Sequence, residues 1–169
     1  MIIKDFYEEK GVVAKPNKRG QIWMWAMLGL AIVSLVAAYW VIVTIPVAIV
    51  AIIAFVVMFR EKYIEYDYCF YNEEIEIAKI MNRKRRRTAI QFETNNIRFI
   101  APEGSIRLAN ERERYPQMRY TDYTSAEPTS PVYGFVLDLK GVSTTIMLEP
   151  TDAMMDHLRQ LVPDKIYED

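Results

Sequence analysis

Few residues in this chain are of types that do chemistry, and most of them stand alone. His157 is the only histidine and Cys69 the only cysteine, so one base and one thiol are available, too few for a zinc site of the usual nitrogen and sulfur ligands. The serines lie outside any G-x-S-x-G or S-x-x-K setting, and no glycine-rich phosphate loop is present. Glu73 and Glu74 are adjacent carboxylates, but in "YNEEI" they read as a water-facing turn. These types and spacings predict no catalytic residue, no metal site and no cofactor. What remains is "NRKRRRTAI", in which Arg83, Lys84, Arg85, Arg86 and Arg87 form five consecutive cations in a chain of formal net charge −1. Such a block attracts anions. A pI of 5.9 and the lack of further basic and aromatic interleaving argue against nucleic acid. Anionic lipid headgroups and an acidic protein partner are left, set against a solvated turn paired with carboxylates such as Glu74, Glu76 and Glu111.

The elements that must position this block begin with a long apolar run. Half the residues are hydrophobic, yet mean hydropathy is close to zero, so the apolar residues are clustered. From Gln21 to Phe59 there are 39 residues without Asp, Glu, Lys, Arg or His. About 20 apolar residues cross a hydrocarbon core of roughly 30 Å, so the run predicts a two-helix transmembrane hairpin over 20–60, with its break near Ala38 to Pro46. Its second helix is short, which leaves a re-entrant hairpin as the alternative to full crossing. Trp23 and Trp25 mark one membrane interface, and Tyr39 and Trp40 the other. Lys15, Lys18 and Arg19 precede the run, Arg60 and Lys62 follow it, and the turn between carries no positive charge. The positive-inside rule then makes both termini cytoplasmic in a multi-pass cell-membrane protein. A lone cysteine agrees with a reducing compartment.

Before the hairpin, Ile2, Ile3, Phe6 and Tyr7 share a face at helical spacing, predicting either a short amphipathic surface helix or a partly ordered leader within 1–19. After it the period changes to two. In "YIEYDYCFY", Ile64, Tyr66, Tyr68 and Phe70 alternate with Glu65 and Asp67, and "EIEIAKI" alternates again after a turn. "RTAIQFE" and "NNIRFIAP" give two more strands, and "QMRYTDYTS" a fifth, exposed one. "EGSIRLANERERYP" is polar and reads as a loop with a helical turn. "VYGFVLDLKG" and "VSTTIMLE" form a hairpin turning at Lys140 and Gly141. A helix capped by Thr151 or Asp152 then places Met154, Leu158 and Leu161 on one face, and Pro163 ends it. Seven strands and one amphipathic helix predict an antiparallel barrel or sheet over 61–169, plugged by the helix.

The strands at "YIEYDYCFYNEEIEIAKI", the basic strand start "RKRRRTAIQF", the hairpin "GFVLDLKGVSTTIMLEP" and the helix "TDAMMDHLRQLVP" together resemble a bacterial pleckstrin-homology-like (PH-like) domain. With "IIKDFYEEKGVVAKPNKRG" ahead of two spans, nearly the whole chain resembles a family of small bacterial membrane proteins that carry such a domain. The resemblance implies a fold and a membrane location rather than an activity. One departure bears on ligands: phosphoinositide-binding domains of this class carry cations around the first hairpin turn, whereas Tyr71, Asn72, Glu73 and Glu74 are acidic here.

If the first strand runs outward from the bilayer at roughly 3.3 Å per residue and the second returns, the basic turn ends within ~10 Å of the height at which the chain left the membrane. Each cation near an anionic surface contributes about 1 kcal/mol, decaying over a Debye length of ~8 Å. The sequence therefore predicts a non-catalytic, membrane-anchored binding or scaffold protein that presents its PH-like domain to protein or anionic lipid. The alternative is an accessory subunit of a larger membrane complex, assembled through the hairpin.

Overall fold

The computed structural model describes residues 5–16, 18–60 and 63–168, the side chain of Arg60 excepted. The chain divides into two compact units, Met1–Lys15 with Glu65–Asp169, and Pro16–Ile64.

The smaller unit is a helical hairpin: α1 (Lys18–Ala37), a 3-10 turn at Ile42–Thr44, and α2 (Ile45–Arg60). Where the helices meet, Met24, Ala31, Ser34, Ala48 and Ala51 are buried. Small side chains three residues apart let two backbones approach closely, which is how helices pair without a hydrophobic driving force. The Thr44 hydroxyl fastens the connection, its one hydrogen shared between the carbonyls of Ser34 at 3.0 Å and Val41 at 2.9 Å. Gly29 is open rather than a contact point, since nothing lies within 4 Å of where its Cβ would stand. Outward-facing Val33, Val36, Ile49, Val50, Ile53 and Val57 are each more than half exposed. These are two helices long and apolar enough to cross a membrane, and their exposure is the reverse of that of a soluble core helix.

The larger unit has two four-stranded sheets. The first runs β1 (Tyr7–Val13), β2 (Ile64–Tyr71), β3 (Glu74–Met81), β4 (Arg85–Glu93); the second runs β5 (Ile97–Pro102), β7 (Tyr133–Leu139), β8 (Val142–Leu148), β6 (Arg119–Asp122). Period-two alternation explains which faces meet. Tyr68, Phe70, Ile75, Ile77 and Phe92 from the first sheet pack on Ile97, Phe135, Leu137, Ile146 and Leu148 from the second. The buried Tyr68 hydroxyl donates to the Tyr123 carbonyl at 2.7 Å. α4 (Asp152–Leu161), capped by the Thr151 hydroxyl, adds Met154, Met155 and Leu158 to this core.

Several expectations are corrected. Residues 7–13 are neither an amphipathic helix nor a leader: they form β1, antiparallel to β2 from Tyr7 opposite Tyr71 to Val13 opposite Glu65. Ile2 and Ile3 lie outside the described residues. Alternation in "YEEKGVV" is hidden because its inward positions include Glu8 and Lys10. Lys10 Nζ nevertheless donates to Ser130 Oγ at 2.8 Å and to the Glu149 carbonyl at 2.7 Å, and Glu8 accepts from the Thr151 hydroxyl. Eight strands rather than seven thus stand among the described residues, in two sheets rather than a closed barrel.

Nor is every pairing antiparallel, because β6 runs parallel to β8. The segment expected to be a loop explains this: α3 (Ile106–Arg114), capped by Ser105, crosses the outer face of the second sheet from edge strand β5 to edge strand β6. A crossover of that kind is what two strands running the same way require. Leu108 packs there with Phe99, Ala101 and Val136. Gly134 makes the seat, since a Cβ on it would lie 2.6 Å from Leu108 Cδ1.

Candidate functional site

The five cations occupy the β3–β4 hairpin. Asn82 and Arg83 both take left-handed backbone (φ 52° and 55°), and the Lys84 amide donates to the Met81 carbonyl at 3.2 Å. Two successive positive φ values make the tight turn that matches strand twist. Asparagine suits the first position, whereas an arginine in the second costs about 1 kcal/mol.

From the turn, register sorts the side chains. Met81 lies opposite Arg85, Ile80 opposite Arg86, Lys79 opposite Arg87, and Ala78 opposite Thr88, with a bulge at the Ile77/Ala78 step. Arg86 and Thr88 therefore share the outer face with Glu76, which accepts from the Thr88 hydroxyl at 2.7 Å. Arg85 and Arg87 point to the other face, beyond the end of the apolar core.

Arg86 is committed within the fold. It reaches over β3, two strand spacings of about 4.8 Å, to ion-pair with Asp67 on β2 at 2.8 Å, and Glu9 on β1, one strand further, extends back to it at 3.5 Å. The Asp67 side chain is 7 % exposed, and burial together with Glu9 pushes its carboxyl up to about 6 against the pull of Arg86. Glu9 moves down, because it accepts hydrogen bonds from Asp67 and from the Tyr7 hydroxyl. Arg83 pairs with Glu65 at 3.5 Å, largely in water. Lys84, Arg85 and Arg87 have no ion pair among the described residues, and Lys79 joins them through its pairing with Arg87. The block is thus two residues spent on carboxylates and three left free.

Sequence reasoning missed the acids that take up Arg86 and Arg83. The direct ion pairs are with Glu9, Asp67 and Glu65; of the carboxylates expected from sequence, Glu76 adds its charge to the field on Arg86 without pairing, whereas Glu111 binds Arg98 at 2.6 Å. Alternation already set Glu65 and Asp67 on one outer face, and that was the available signal. The opposite end of the same sheet is acidic, with Glu73 in the β2–β3 turn, Glu74 starting β3 and Glu93 ending β4.

The other chemistry-bearing side chains are absorbed by the fold. His157 Nε2 lies 2.8 Å from the Asn72 carbonyl, and its ring stacks on Phe6 at 3.9 Å between centroids. Burial pushes the Cys69 thiol up. No group of three His, Cys, Asp or Glu suited to a metal occurs among the described residues.

In the hairpin unit, Trp23 and Trp25 stand near the start of α1, which also carries Arg19. Tyr39 and Trp40 stand in the turn after α1, packed edge to face at 5.1 Å and strongly exposed. Arg60 ends α2, and Lys62 lies outside the described residues.

Two sheets around one core, closed by a helix after the last strand, define the PH-like class. The chain belongs to the family described as "Bacterial PH-like domain (DUF6106)", which matches residues 4–168 and so runs through the helical hairpin as well as the sheets. No curated protein and no solved structure matches it. A PH-like domain is in general a binding or scaffold module.

Proposed function

We propose that the protein is a non-catalytic, membrane-anchored scaffold whose hairpin spans the cell membrane with both termini cytoplasmic, and whose basic turn holds the PH-like domain against anionic lipid headgroups. The observation that carries this reading is internal to the sheet unit. Val13, where β1 ends, pairs with Glu65 near the start of β2, and Glu65 pairs in turn with Arg83 of the basic turn. After Val13 the chain stays tied to the unit through the Ala14–Ser125 bridge and the Lys15–Asp122 ion pair, so the connections to the hairpin are short, and the β1–β2 pair opens toward them at its basic end. At no more than roughly 3.6 Å per residue, such short tethers favour that end as the membrane-facing one.

Charge favours the same orientation. Three free cations near an anionic surface contribute on the order of 3 kcal/mol. The acidic end lies about eight residues away at roughly 3.3 Å each, several Debye lengths off. The hairpin already supplies anchorage, so this energy sets orientation rather than residence. Trp23 and Trp25, Tyr39 and Trp40, and the flanking Arg19, Arg60 and Lys62 serve as interface anchors.

Trypsin tests this on the full chain in nanodiscs, since it cuts after Arg and Lys. Anionic lipid is expected to slow cleavage within 83–87 relative to neutral lipid, and high salt to restore it. Equal rates in both lipids at low salt would remove the lipid-docking role.

A further inference from the structure

A second arginine-rich surface lies on the far side of the sheet unit, and nothing in the reading above uses it. Between Ile97 and Tyr120 the sequence carries five arginines and no lysine. The fold gathers four of them, dispersed in sequence, around α3. Arg107 lies 3.6 Å from the centroid of the Tyr167 ring, Arg112 lies 5.3 Å from Tyr120, and Arg98 and Arg114 approach Tyr115 at 5.7 and 5.8 Å.

Only Arg98 has a carboxylate partner, Glu111; Arg107, Arg112 and Arg114 have no ion pair among the described residues. A guanidinium resting on a ring keeps the N–H edge free and loses little freedom on binding, so it is prepared for bidentate acceptance by a carboxylate or phosphate. Tyr115 and Tyr120 are themselves 40 % and 48 % exposed, and Ile106 at the start of α3 is 76 % exposed.

We infer that α3 and the outer face of the second sheet form a docking surface for an acidic, tyrosine- or leucine-containing protein segment. Composition and charge select this occupant over a polyphosphate. A surface where arginine and tyrosine predominate, with Lys15 at its edge already paired to Asp122, has the composition of protein interface hot spots. Exposed Glu103 and Glu113 on the same stretch would repel a continuous run of phosphates but tolerate spaced carboxylates. The exposed Ile106 offers an apolar contact that neither nucleic acid nor a headgroup layer fills.

The probe is a random copolymer of glutamate and tyrosine, titrated against the full chain in a neutral-headgroup detergent. Salt-sensitive binding is expected. It should fall at least about tenfold in the Arg107→Gln/Arg112→Gln/Arg114→Gln variant and substantially in the Arg→Lys version, which keeps charge but loses the planar fork. The Lys84→Gln/Arg85→Gln/Arg87→Gln variant should bind within about twofold of the parent. All substituted side chains are exposed, and circular dichroism confirms that the variants fold. The inference is overturned if the α3 variant binds normally, if the turn variant loses binding instead, or if an oligonucleotide or anionic vesicles displace the copolymer as well as free copolymer does.

Discussion

The domain carries two arginine-rich regions built in opposite ways. In the β3–β4 turn the cations are consecutive in sequence, and the fold separates them: Arg86 is drawn across three strands to Asp67 and Glu9, Arg83 to Glu65, while Lys84, Arg85 and Arg87 stay in water. Around α3 the arginines are scattered in sequence, and the fold collects them onto tyrosine rings. Charge density along the chain therefore overstates the first region and conceals the second. A diffuse positive field suits a lipid surface, whereas guanidinium groups fixed on rings suit a shaped partner.

The two regions come apart most forcefully at Gly134. A valine there drives its side chain into Leu108, and overpacking of this kind costs about 1–3 kcal/mol. The Gly134→Val variant is expected to unfold at lower urea and to lose copolymer binding, while lipid protection of the turn persists.

Next in size is a pH effect confined to the first region. Asp67 titrates near 6 when folded, above its ordinary value of 3.8. Between about 4 and 6 the folded state holds a proton that the unfolded chain has released, so stability falls as pH rises through that window. Glu9 is shifted the other way and partly offsets this, so the decline is shallower than Asp67 alone would give. Urea midpoints across this range should show the decline in the parent and a flatter profile in Asp67→Asn.

Arg83→Gly relieves the left-handed backbone at φ 55°, worth about 1 kcal/mol, and gives up an exposed ion pair worth less. A small rise in urea midpoint is expected. The smallest effect on stability comes from Lys84→Gln/Arg85→Gln/Arg87→Gln, under about 0.5 kcal/mol, in the variant that should lose tryptic protection on anionic lipid altogether.

Much of this architecture was legible in the residues. The uncharged run read as a helical hairpin, and strict alternation in residues 63–80 and 133–148 read as strands, because apolar side chains on one face leave a period. β1 left none: its inward positions hold Glu8 and Lys10, whose partners Thr151, Ser130 and Glu149 lie more than a hundred residues away. α3 was obscured for a related reason. A helix that seats only Leu108 on a sheet shows little apolar periodicity, and its cap at Ser105 precedes no apolar run. The basic turn was visible as a block, but its division into spent and free cations depends on register across four strands, which sequence spacing does not carry.

Orientation by charge requires the basic end of the first sheet to face the lipid. The direct measurement is paramagnetic broadening of backbone amide signals by headgroup-attached spin labels, with the full chain in anionic nanodiscs at low salt. Strong broadening at Lys84, Arg85 and Arg87 with sharp signals at Glu73 and Glu74, the difference shrinking at high salt, is the predicted result. Equal broadening at both ends, or stronger broadening at the acidic end, would contradict it.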